Sequence, residues 1–290
     1  MTKITIQIKI LSSLAHKQVA KSKEIKISKT RSQIIKGLSS LLTLGVNERT
    51  KVKTYARLTQ SFKEIHTIET DRGSLKFRVD SPGSVPQDPT SERGEPETFE
   101  WIRTNLKDGD ILWDIGANIG VFSLYAALEK KNKVLSLEPS AESYATLNAN
   151  IRLNGLDEYI QALCFAGSKE TNLLDLFMKD TSAGASHNSI GSGSNQFGEF
   201  EVNGFQSVIA IKLDDLYELK GVPSPNHMKL DVDGKELEIL EGATHLLSKI
   251  DSLLVEIEGN NLKENLIKIE NIISLAGLSE EISWRDKGSG

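Results

Sequence analysis

The central part of the chain alternates short apolar runs with amphipathic stretches of helical length. The apolar runs predict strands at residues 111–113, 133–137, 159–166, 228–232 and 253–257. Apolar positions at helical spacing predict helices at residues 119–130, 140–154, 235–249 and 261–276. Strands joined by helices of this length are typical of a mostly parallel sheet covered on both faces. The pattern therefore predicts a three-layer α/β sandwich.

Irregular segments flank and interrupt this alternation. Residues 65–70 and 75–79 predict a hairpin, residues 81–95 a Ser-, Pro- and Gly-rich loop, and Glu95-Pro96 the start of a further helix. Residues 170–226 form an insertion in which predicted strands at 173–178 and 208–213 flank a Gly/Ser-rich loop at 181–198. This loop is either a lid that binds the acceptor or a mobile insertion. A last short strand is expected near residues 282–284.

The N-terminal segment differs from the rest in charge. Residues 1–63 hold 14 lysines and arginines against two glutamates, a net charge of +12, whereas residues 64–290 carry −17. We interpret residues 1–63 as a basic helical extension and residues 64–290 as the main domain. The extension either contacts a polyanion or an anionic membrane surface, or it docks on the chain's own acidic domain. The alternating start, Met1 to Lys9, is not typical of a secretory signal.

Composition excludes several classes of protein. With 38% hydrophobic and 26% charged residues the chain can build a core, and no run of about 18 apolar residues predicts a membrane span. The one cysteine, Cys164, excludes an intramolecular disulfide and a multi-cysteine metal site, and it favours a reducing, cytoplasmic compartment. No His, Asp or Glu cluster has metal-ligand spacing, so we expect no metal.

Two segments that follow neighbouring predicted strands carry the chemistry expected of a nucleotide-type site. Ligands of open parallel sheets bind at the carboxyl ends of the strands. After the first strand come, in order, Asp114, Gly116, Ala117, Asn118 and Gly120, where the glycines permit a tight turn and a close helix approach. After the second strand come Glu138 and Pro139, and an acid there can accept hydrogen bonds from both ribose hydroxyls. The two segments predict a site for an adenosine-containing ligand.

The charge of the turn distinguishes two cofactors. A dinucleotide site needs a second glycine where this chain has Asn118, and the Asp114 carboxylate would repel a pyrophosphate. The same carboxylate suits the ammonium group of S-adenosylmethionine, which the residues therefore favour. The alternative is that Asp114 only caps the following helix.

Six motifs in order resemble one known family. They are Asp-Ile-Gly-Ala-Asn-Ile-Gly-Val-Phe-Ser (114–123), Leu-Glu-Pro (137–139), Asn-Ala-Asn-Ile-Arg-Leu-Asn-Gly-Leu (148–156), Leu-Asp-Asp-Leu (213–216), Lys-Leu-Asp-Val-Asp-Gly-Lys-Glu-Leu-Glu-Ile-Leu-Glu-Gly-Ala (229–243) and Val-Glu-Ile-Glu (255–258). The chain resembles the FkbM family of S-adenosylmethionine-dependent methyltransferases over residues 64–277. The resemblance implies a Rossmann-like class I methyltransferase fold and methylation of hydroxyl oxygens on sugars, glycolipids or polyketides.

The resemblance also implies roles for residues. The turn from Asp114 to Gly120 would hold the methionine part of the cofactor, Glu138 the ribose, and residues 166–168 would border the adenine. Ser168 stands where an acidic or amide side chain would be the better adenine partner. Asp231 would face the methyl group and the acceptor.

The base that takes the acceptor's proton has several candidates. Asp231 and Glu236 bracket a turn, and Lys229 lies two residues before Asp231, on the same side of a strand. We interpret Lys229 and Asp231 as a pair that orients the acceptor with Asp231 as base, or else as a structural salt bridge. Further ionisable candidates are His187, His227, Glu256 and Glu258, of which the two histidines lack an evident partner and the two glutamates suit helix capping equally well.

The sequence thus leads to an O-methyltransferase acting on a small-molecule or glycan acceptor. Two alternatives stay open. One is a nucleic-acid methyltransferase that uses the basic extension as a phosphate tether, although no aromatic residue precedes Tyr55 to stack on bases. The other is a non-catalytic scaffold that retains the cofactor fold.

Overall fold

The described residues of the chain form two compact units. The computed structural model describes residues 5–10, 32–38, 40, 41, 43–61, 64–91, 94–257 and 259–281. One unit contains residues 5–10 together with the described residues from 65 onward, and the other contains the described residues between 32 and 64.

Strands and helices alternate through most of the larger unit. In chain order the strands are β1 (Thr5–Ile10), β2 (Glu64–Thr70), β3 (Gly73–Val79), β4 (Ile111–Ile115), β5 (Lys133–Leu137), β6 (Ile160–Leu163), β7 (Phe165–Ser168), β8 (Asn172–Met178), β9 (Ser189–Ile190), β10 (Ser194–Asn195), β11 (Gly198–Glu199), β12 (Gly204–Lys212), β13 (His227–Leu230), β14 (Ser252–Ile257) and β15 (Ser279–Glu280). The helices are α1 (Glu48–Ser61), α2 (Pro96–Asn105), α3 (Val121–Ala127), α4 (Ala141–Leu153), α5 (Leu213–Tyr217), α6 (Glu236–Glu241), α7 (Thr244–Leu247) and α8 (Leu262–Leu275).

Among the described residues, seven strands form the main sheet in the order β15-β1-β14-β13-β4-β5-β6. All the pairings between these neighbours are parallel. Strand order reverses between β4 and β13, which come from distant parts of the chain, and an open parallel sheet binds ligands beside such a point.

Two hydrophobic cores cover the two faces of this sheet. Apolar side chains of α5, α6, α7 and α8 pack on the face to which Trp113 and Leu135 point. Side chains of α2, α3 and α4, with the β2-β3 hairpin, pack on the face to which Leu112 and Val134 point. Successive residues of β4 and β5 thus serve opposite cores, as the alternation of a strand requires. The predicted Rossmann-like three-layer α/β fold is confirmed.

The insertion at 170–226 builds a second sheet. Its order is β7-β12-β8-β9, with β12 parallel to β7 and antiparallel to β8. The predicted strand at 159–166 is therefore two strands, because after Leu163 the chain leaves the main sheet and Phe165–Ser168 pairs with β12 instead.

The prediction of helical structure throughout residues 1–63 is wrong for Thr5–Ile10. This segment is strand β1, which lies parallel to β14 in the main sheet and pairs with β15 on its other side. The sequence from Thr5 to Ile10 alternates polar residues with isoleucine, a period-two pattern that favours a strand. The alternation does not identify the partner strand, because β14 lies some 250 residues away in the sequence.

Two other predicted elements differ near their ends. The helix predicted at 235–249 is divided into α6 and α7 at Gly242, whose Cα lies so close to the backbone of Ser168 that an added Cβ would be 2.3 Å from its carbonyl oxygen. The last strand lies at Ser279–Glu280, whereas the predicted 282–284 is outside the described residues.

The smaller unit is helical where it is described. Residues 32–38, 40 and 41 are helical and α1 follows at Glu48–Ser61. The hydroxyl groups of Thr43 and Tyr55 are hydrogen-bonded at 3.2 Å within this unit. Across the described ranges of both units, the helices are too short or too polar to traverse a bilayer.

Candidate functional site

A row of polar side chains crosses the middle of the main sheet on one face. Lys229 of β13 is in register with Asp114 of β4, and Asp114 is in register with Ser136 of β5. Residues in register on adjacent parallel strands point to the same face, so these three side chains lie side by side. Ser123 of α3 closes the row, since its hydroxyl lies 2.7 Å from that of Ser136.

The Asp114 carboxylate is wholly buried in this row. The Ser123 hydroxyl donates a 2.5 Å hydrogen bond to Oδ2, and the Lys229 ammonium lies 3.9 Å from Oδ1. Burial raises the pKa of Asp114 above its ordinary value, against the opposing effect of the Lys229 charge and the Ser123 hydrogen bond. The N-cap of α3 is Gly120, so Asp114 is not the capping residue of that helix.

Lys229 joins this buried acid to an accessible one. Its Nζ lies 3.0 Å from Oδ2 of Asp231, which confirms the prediction that the two side chains point to the same side. Only 3% of the Lys229 side chain is exposed, compared with 31% for Asp231. Burial alone would lower the pKa of Lys229, but the charges of Asp231 and Asp114 raise it above its ordinary value. The ammonium also lies 5.0 Å above the Phe122 ring and stays charged.

The glycine turn after β4 packs against the end of β13. The N–H groups of Gly116 and Ala117 both donate to the carbonyl oxygen of Leu137, at 3.0 and 2.9 Å. Gly116 has φ +85°, and an added Cβ would lie 1.9 Å from the carbonyl oxygen of Asp231. Only glycine fits there, and the turn and Asp231 are held in direct contact.

Glu138 braces the same turn from the neighbouring strand. Its Oε2 accepts from the N–H of Asn118 and its Oε1 from the N–H of Ser140, both at 2.8 Å. Burial raises the pKa of Glu138 to about 7, although both hydrogen bonds act in the opposite direction. Each carboxylate oxygen retains a lone pair for a ligand hydroxyl. The Oδ1 atom of Asn118 is buried and accepts no hydrogen bond from the described residues.

Glu236 lies beneath the turn that follows β13. Its Oε1 accepts from the N–H groups of Val232 at 3.2 Å and Gly234 at 3.0 Å. Burial raises the pKa of Glu236 to about 7. The structure therefore brings Glu236 close to Asp231 as a support of the turn.

Three carboxylates converge beside Lys229. Oxygen atoms of Glu95, Asp231 and Glu256 all lie within 4.8 Å of one another. They come from the start of α2, the end of β13 and β14, and the Glu95 contribution was not predicted because it arises from tertiary packing. A hard cation takes oxygen ligands of this kind, but the Lys229 ammonium already supplies a counter-charge to Asp231. Glu258, the other acid predicted in β14, lies outside the described residues.

The predicted adenine side is divided between two places. The Cys164 thiol lies 3.6 Å from the carbonyl oxygen of Pro139, next to Glu138. Ser168 lies farther along, at the end of β7, where it lines a cavity of about 230 Å³ with Gly167, Lys235 and others. In the described part of the chain, Ser168 makes no hydrogen bond to the glycine turn. The structure thus gives Cys164, and not the predicted Ser168, a contact with the Glu138-Pro139 segment.

The Gly/Ser-rich loop folds back toward the carboxyl ends of β13 and β14. The His187 N–H donates to Asp233 Oδ2 at 2.6 Å, and the His187 ring nitrogen Nδ1 lies 3.1 Å from Asp233 Oδ1. Gln196 packs so closely on Gly234 and Gly259 that a Cβ on either glycine would lie 2.7 or 2.6 Å from its Cβ. The loop contains the short strands β9, β10 and β11 and covers this edge of the sheet.

His227 has partners that the sequence did not reveal. Its Nδ1 lies 2.8 Å from the Ser252 hydroxyl and its Nε2 lies 3.0 Å from Asp110 Oδ2. Both His227 and Ser252 are buried at the amino ends of their strands, away from Asp231 at the opposite end. This arrangement ties three strands together and leaves His227 outside the candidate site.

Sequence reasoning also missed the supports of the buried acid. Ser123 and Phe122 belong to the same motif as Asp114, but they follow it on a helix, and their return to the row depends on how α3 packs. One signal could have identified Ser123: it is a polar residue at a core-facing position of the predicted helix, and the structure shows that it is fully buried.

Comparisons with known proteins agree with the arrangement. A family model described as the methyltransferase FkbM domain matches residues 114–277. The hexuronic acid methyltransferase AglP of Haloferax volcanii is 28% identical over 192 residues, which cover 66% of this chain and 72% of that protein. Methyltransferase 1 of Beauveria bassiana is 24% identical over 171 residues, 52% of this chain and 65% of that protein.

The chain was also compared with solved structures. The SAM-dependent methyltransferase from Agrobacterium tumefaciens is similar with a TM-score of 0.43 and 13% identity, over 74% of this chain and 59% of that chain.

The family model spans more than half of the chain and includes the glycine turn, Glu138, Lys229 and Asp231. The chain belongs to the FkbM methyltransferase family and is a methyltransferase.

Proposed function

We propose that the protein transfers a methyl group from S-adenosylmethionine to a hydroxyl oxygen of a sugar, a glycolipid or another small hydroxylated acceptor. One observation carries the proposal. The buried pair of Asp114 and Lys229 connects the glycine turn to the partly exposed carboxylate of Asp231. The Lys229 ammonium lies 3.9 Å from Asp114 and 3.0 Å from Asp231. A cofactor held by the turn would thus lie beside a carboxylate that can accept a proton.

The residues of the turn fit the proposed cofactor. The buried Asn118 Oδ1 and Asp114 Oδ1 atoms accept no hydrogen bond from the described residues, and acceptors of this kind suit an ammonium group. The free lone pairs of Glu138 suit the ribose hydroxyls, and the absence of a side chain at Gly116 lets the turn lie directly against the backbone of Asp231. When bound, S-adenosylmethionine supplies a methyl group on a positively charged sulfur.

Asp231 is the base in this proposal. With a methyl donor held by the turn, the Asp231 carboxylate would accept the proton of the acceptor hydroxyl as that oxygen takes the methyl group from the donor sulfur. A positioned base of this kind accelerates such steps about 10²- to 10⁴-fold. Lys229 fixes the direction of Asp231 through their 3.0 Å contact, and Glu236 holds the adjoining turn, so both are positioning residues.

The charge of the site favours a neutral acceptor. Glu95 and Glu256 add two carboxylates to Asp231 and, at close range, like charges repel an anionic ligand. The relative from Haloferax volcanii is named for a hexuronic acid, and its similarity supports a sugar as the acceptor class. In this chain the three carboxylates favour a hydroxyl group over a free carboxylate as the methylated group.

The loop from His187 to Phe197 would enclose the acceptor. It is fixed to Asp233 and Gly234, which lie two and three residues after the proposed base, and to Asn260 after β14. A closed loop excludes water from the reacting atoms. We assign this segment to the acceptor side of the site.

Transfer of an isotope-labelled methyl group tests the proposal. Purified protein and labelled S-adenosylmethionine are incubated with separate pools of neutral glycans and glycolipids, of uronic acids and of RNA. We expect base-stable label in the neutral pool, and Asp231→Asn lowers the rate about 10²- to 10⁴-fold. Asp157→Asn makes the same chemical change at an exposed position and leaves the rate unchanged.

Three results would contradict the proposal. Label in RNA would favour the nucleic-acid alternative, and base-labile label in uronic acids would show a methyl ester rather than an ether. Equal rates for Asp231→Asn and Asp157→Asn would remove Asp231 as the base.

A further inference from the structure

The smaller unit presents an exposed apolar face on its first helical stretch. Within residues 32–38, Ile34, Ile35 and Leu38 lie at the i, i+1, i+4 spacing that places them on one side of a helix. Polar residues occupy the opposite side. More than half of each of the three apolar side chains is exposed, and Leu41 and Leu44 farther along are exposed as well. Large apolar side chains clustered in this way mark a contact surface.

The second helix of this unit carries a basic stripe. Arg49, Lys53 and Arg57 follow one another at i, i+4 and i+8 on α1, so they form one line along the helix. All three are exposed, and in the described portion of the chain no acidic side chain lies within 4.0 Å of them. The whole of α1 contains four basic residues and one acid, Glu48, which pairs with Lys51 at 3.7 Å.

We propose that this unit docks on an anionic lipid surface. Exposed aliphatic side chains bind at the interface of a bilayer by entering the acyl boundary, and lysine and arginine bind there through the headgroups. In this unit the first helical stretch supplies the aliphatic side chains and α1 supplies the cations. The net charge of +12 over residues 1–63, in a chain whose remainder carries −17, concentrates this attraction in one segment.

A membrane suits the surface better than nucleic acid does. Phosphate backbones attract the basic stripe but give no reason for four exposed aliphatic residues in the neighbouring helical stretch. The one aromatic residue of α1, Tyr55, is partly buried and hydrogen-bonded to Thr43, so it is not available for stacking on a base. The combination of aliphatic and basic side chains selects the lipid surface.

Vesicle flotation of the full-length protein tests this inference independently of methyl transfer. We expect the protein to float with vesicles that contain phosphatidylglycerol in phosphatidylcholine, but not with pure phosphatidylcholine. High salt should release it, because exposed charges are screened. Replacing the three basic residues together (Arg49→Gln, Lys53→Gln, Arg57→Gln) should weaken binding roughly 100-fold.

Matched variants separate the two components of the surface. Ile34→Ser, Ile35→Ser and Leu38→Ser together should also abolish flotation, since the apolar insertion is lost. The control replaces three exposed lysines of the larger unit, Lys107→Gln, Lys169→Gln and Lys220→Gln, and should leave binding intact. All these positions are exposed, and circular dichroism checks that each variant is folded.

Several outcomes would overturn the inference. One is a lack of flotation with anionic vesicles, which would fit docking on the chain's own acidic domain. Another is an equal loss of vesicle binding in the control and in the basic-stripe variant. A third is a dimer in sedimentation velocity that the three serine replacements dissociate, which would assign the apolar face to a second copy of the chain.

Discussion

Replacement of Lys229 by methionine tests the buried series of charges at the centre of the site. Lys229→Met keeps the length of the side chain but removes the one cation that the described residues place within 4.0 Å of the fully buried Asp114. Removing one partner of a buried ion pair costs about 3–5 kcal/mol, because the remaining charge is left uncompensated. For a chain of this size each kcal/mol lowers the Tm by about 2–4 °C, so the expected fall is roughly 6–20 °C.

Urea denaturation and thermal melting followed by circular dichroism measure this loss. The control is Lys235→Met, because Lys235 forms a 2.8 Å pair with Glu238 but 28% of its side chain is exposed. A pair of that kind contributes about 1 kcal/mol or less. The double variant Lys229→Met with Asp114→Asn removes both charges and should recover about 2 kcal/mol or more of the loss.

The reasoning would be refuted by either of two results. One is a Lys229→Met protein that is no less stable than Lys235→Met. The other is a double variant that is no more stable than Lys229→Met alone, because the loss would then come from packing and not from an uncompensated carboxylate.

Three further predictions concern the turn, the strand ends and pH. Gly116→Ala should lower cofactor affinity at least about tenfold in calorimetry and destabilise the protein by about 1–3 kcal/mol in thermal melting. The control Gly155→Ala, at φ +63° with no atom within 4 Å of an added Cβ, should affect stability only. His227→Asn should cost about 1–3 kcal/mol in urea denaturation by leaving buried polar partners unsatisfied, while the exposed His245→Asn should change little. The pKa of Glu138 is raised from 4.5 to about 7, so the folded protein binds this proton more tightly than the unfolded chain does. The contribution of Glu138 to the free energy of unfolding is thus fully present below about pH 4.5 and is lost as pH rises through about 7. Cofactor affinity shows the opposite trend and falls as pH decreases through about 7, because the carboxylate is then protonated. Glu138→Gln should flatten both pH profiles.

The elements that local pattern determines were predicted well. The strand at Lys133–Leu137 has the predicted bounds, and helix α4 lies within the predicted range, between Ser140 as N-cap and Asn154 as C-cap. The glycine turn could be recognised because positive φ and close approach restrict the residue type, and such restrictions are visible in a sequence. Glu138 could be recognised because it is an acid directly after the neighbouring predicted strand.

The missed features depend on contacts between distant segments. Strand β1 joins β14 from the other end of the chain, and Glu95 reaches Asp231 and Glu256 only after α2 packs. His227 contacts Asp110 at the amino end of β4, more than 100 residues earlier in the chain. A single sequence carries no trace of such pairings beyond residue type. The catalytic roles predicted for Asp231, Lys229 and Glu236 stay predictions.

Calorimetry of S-adenosylmethionine binding tests the central claim most directly. The account predicts a single site of micromolar affinity in the full chain, weakened at least about tenfold in Glu138→Ala and in Asp114→Ala, and unchanged in Asp157→Asn. It is contradicted if the parent chain binds no S-adenosylmethionine, or if folded Glu138→Ala and Asp114→Ala proteins bind it as tightly as the parent does.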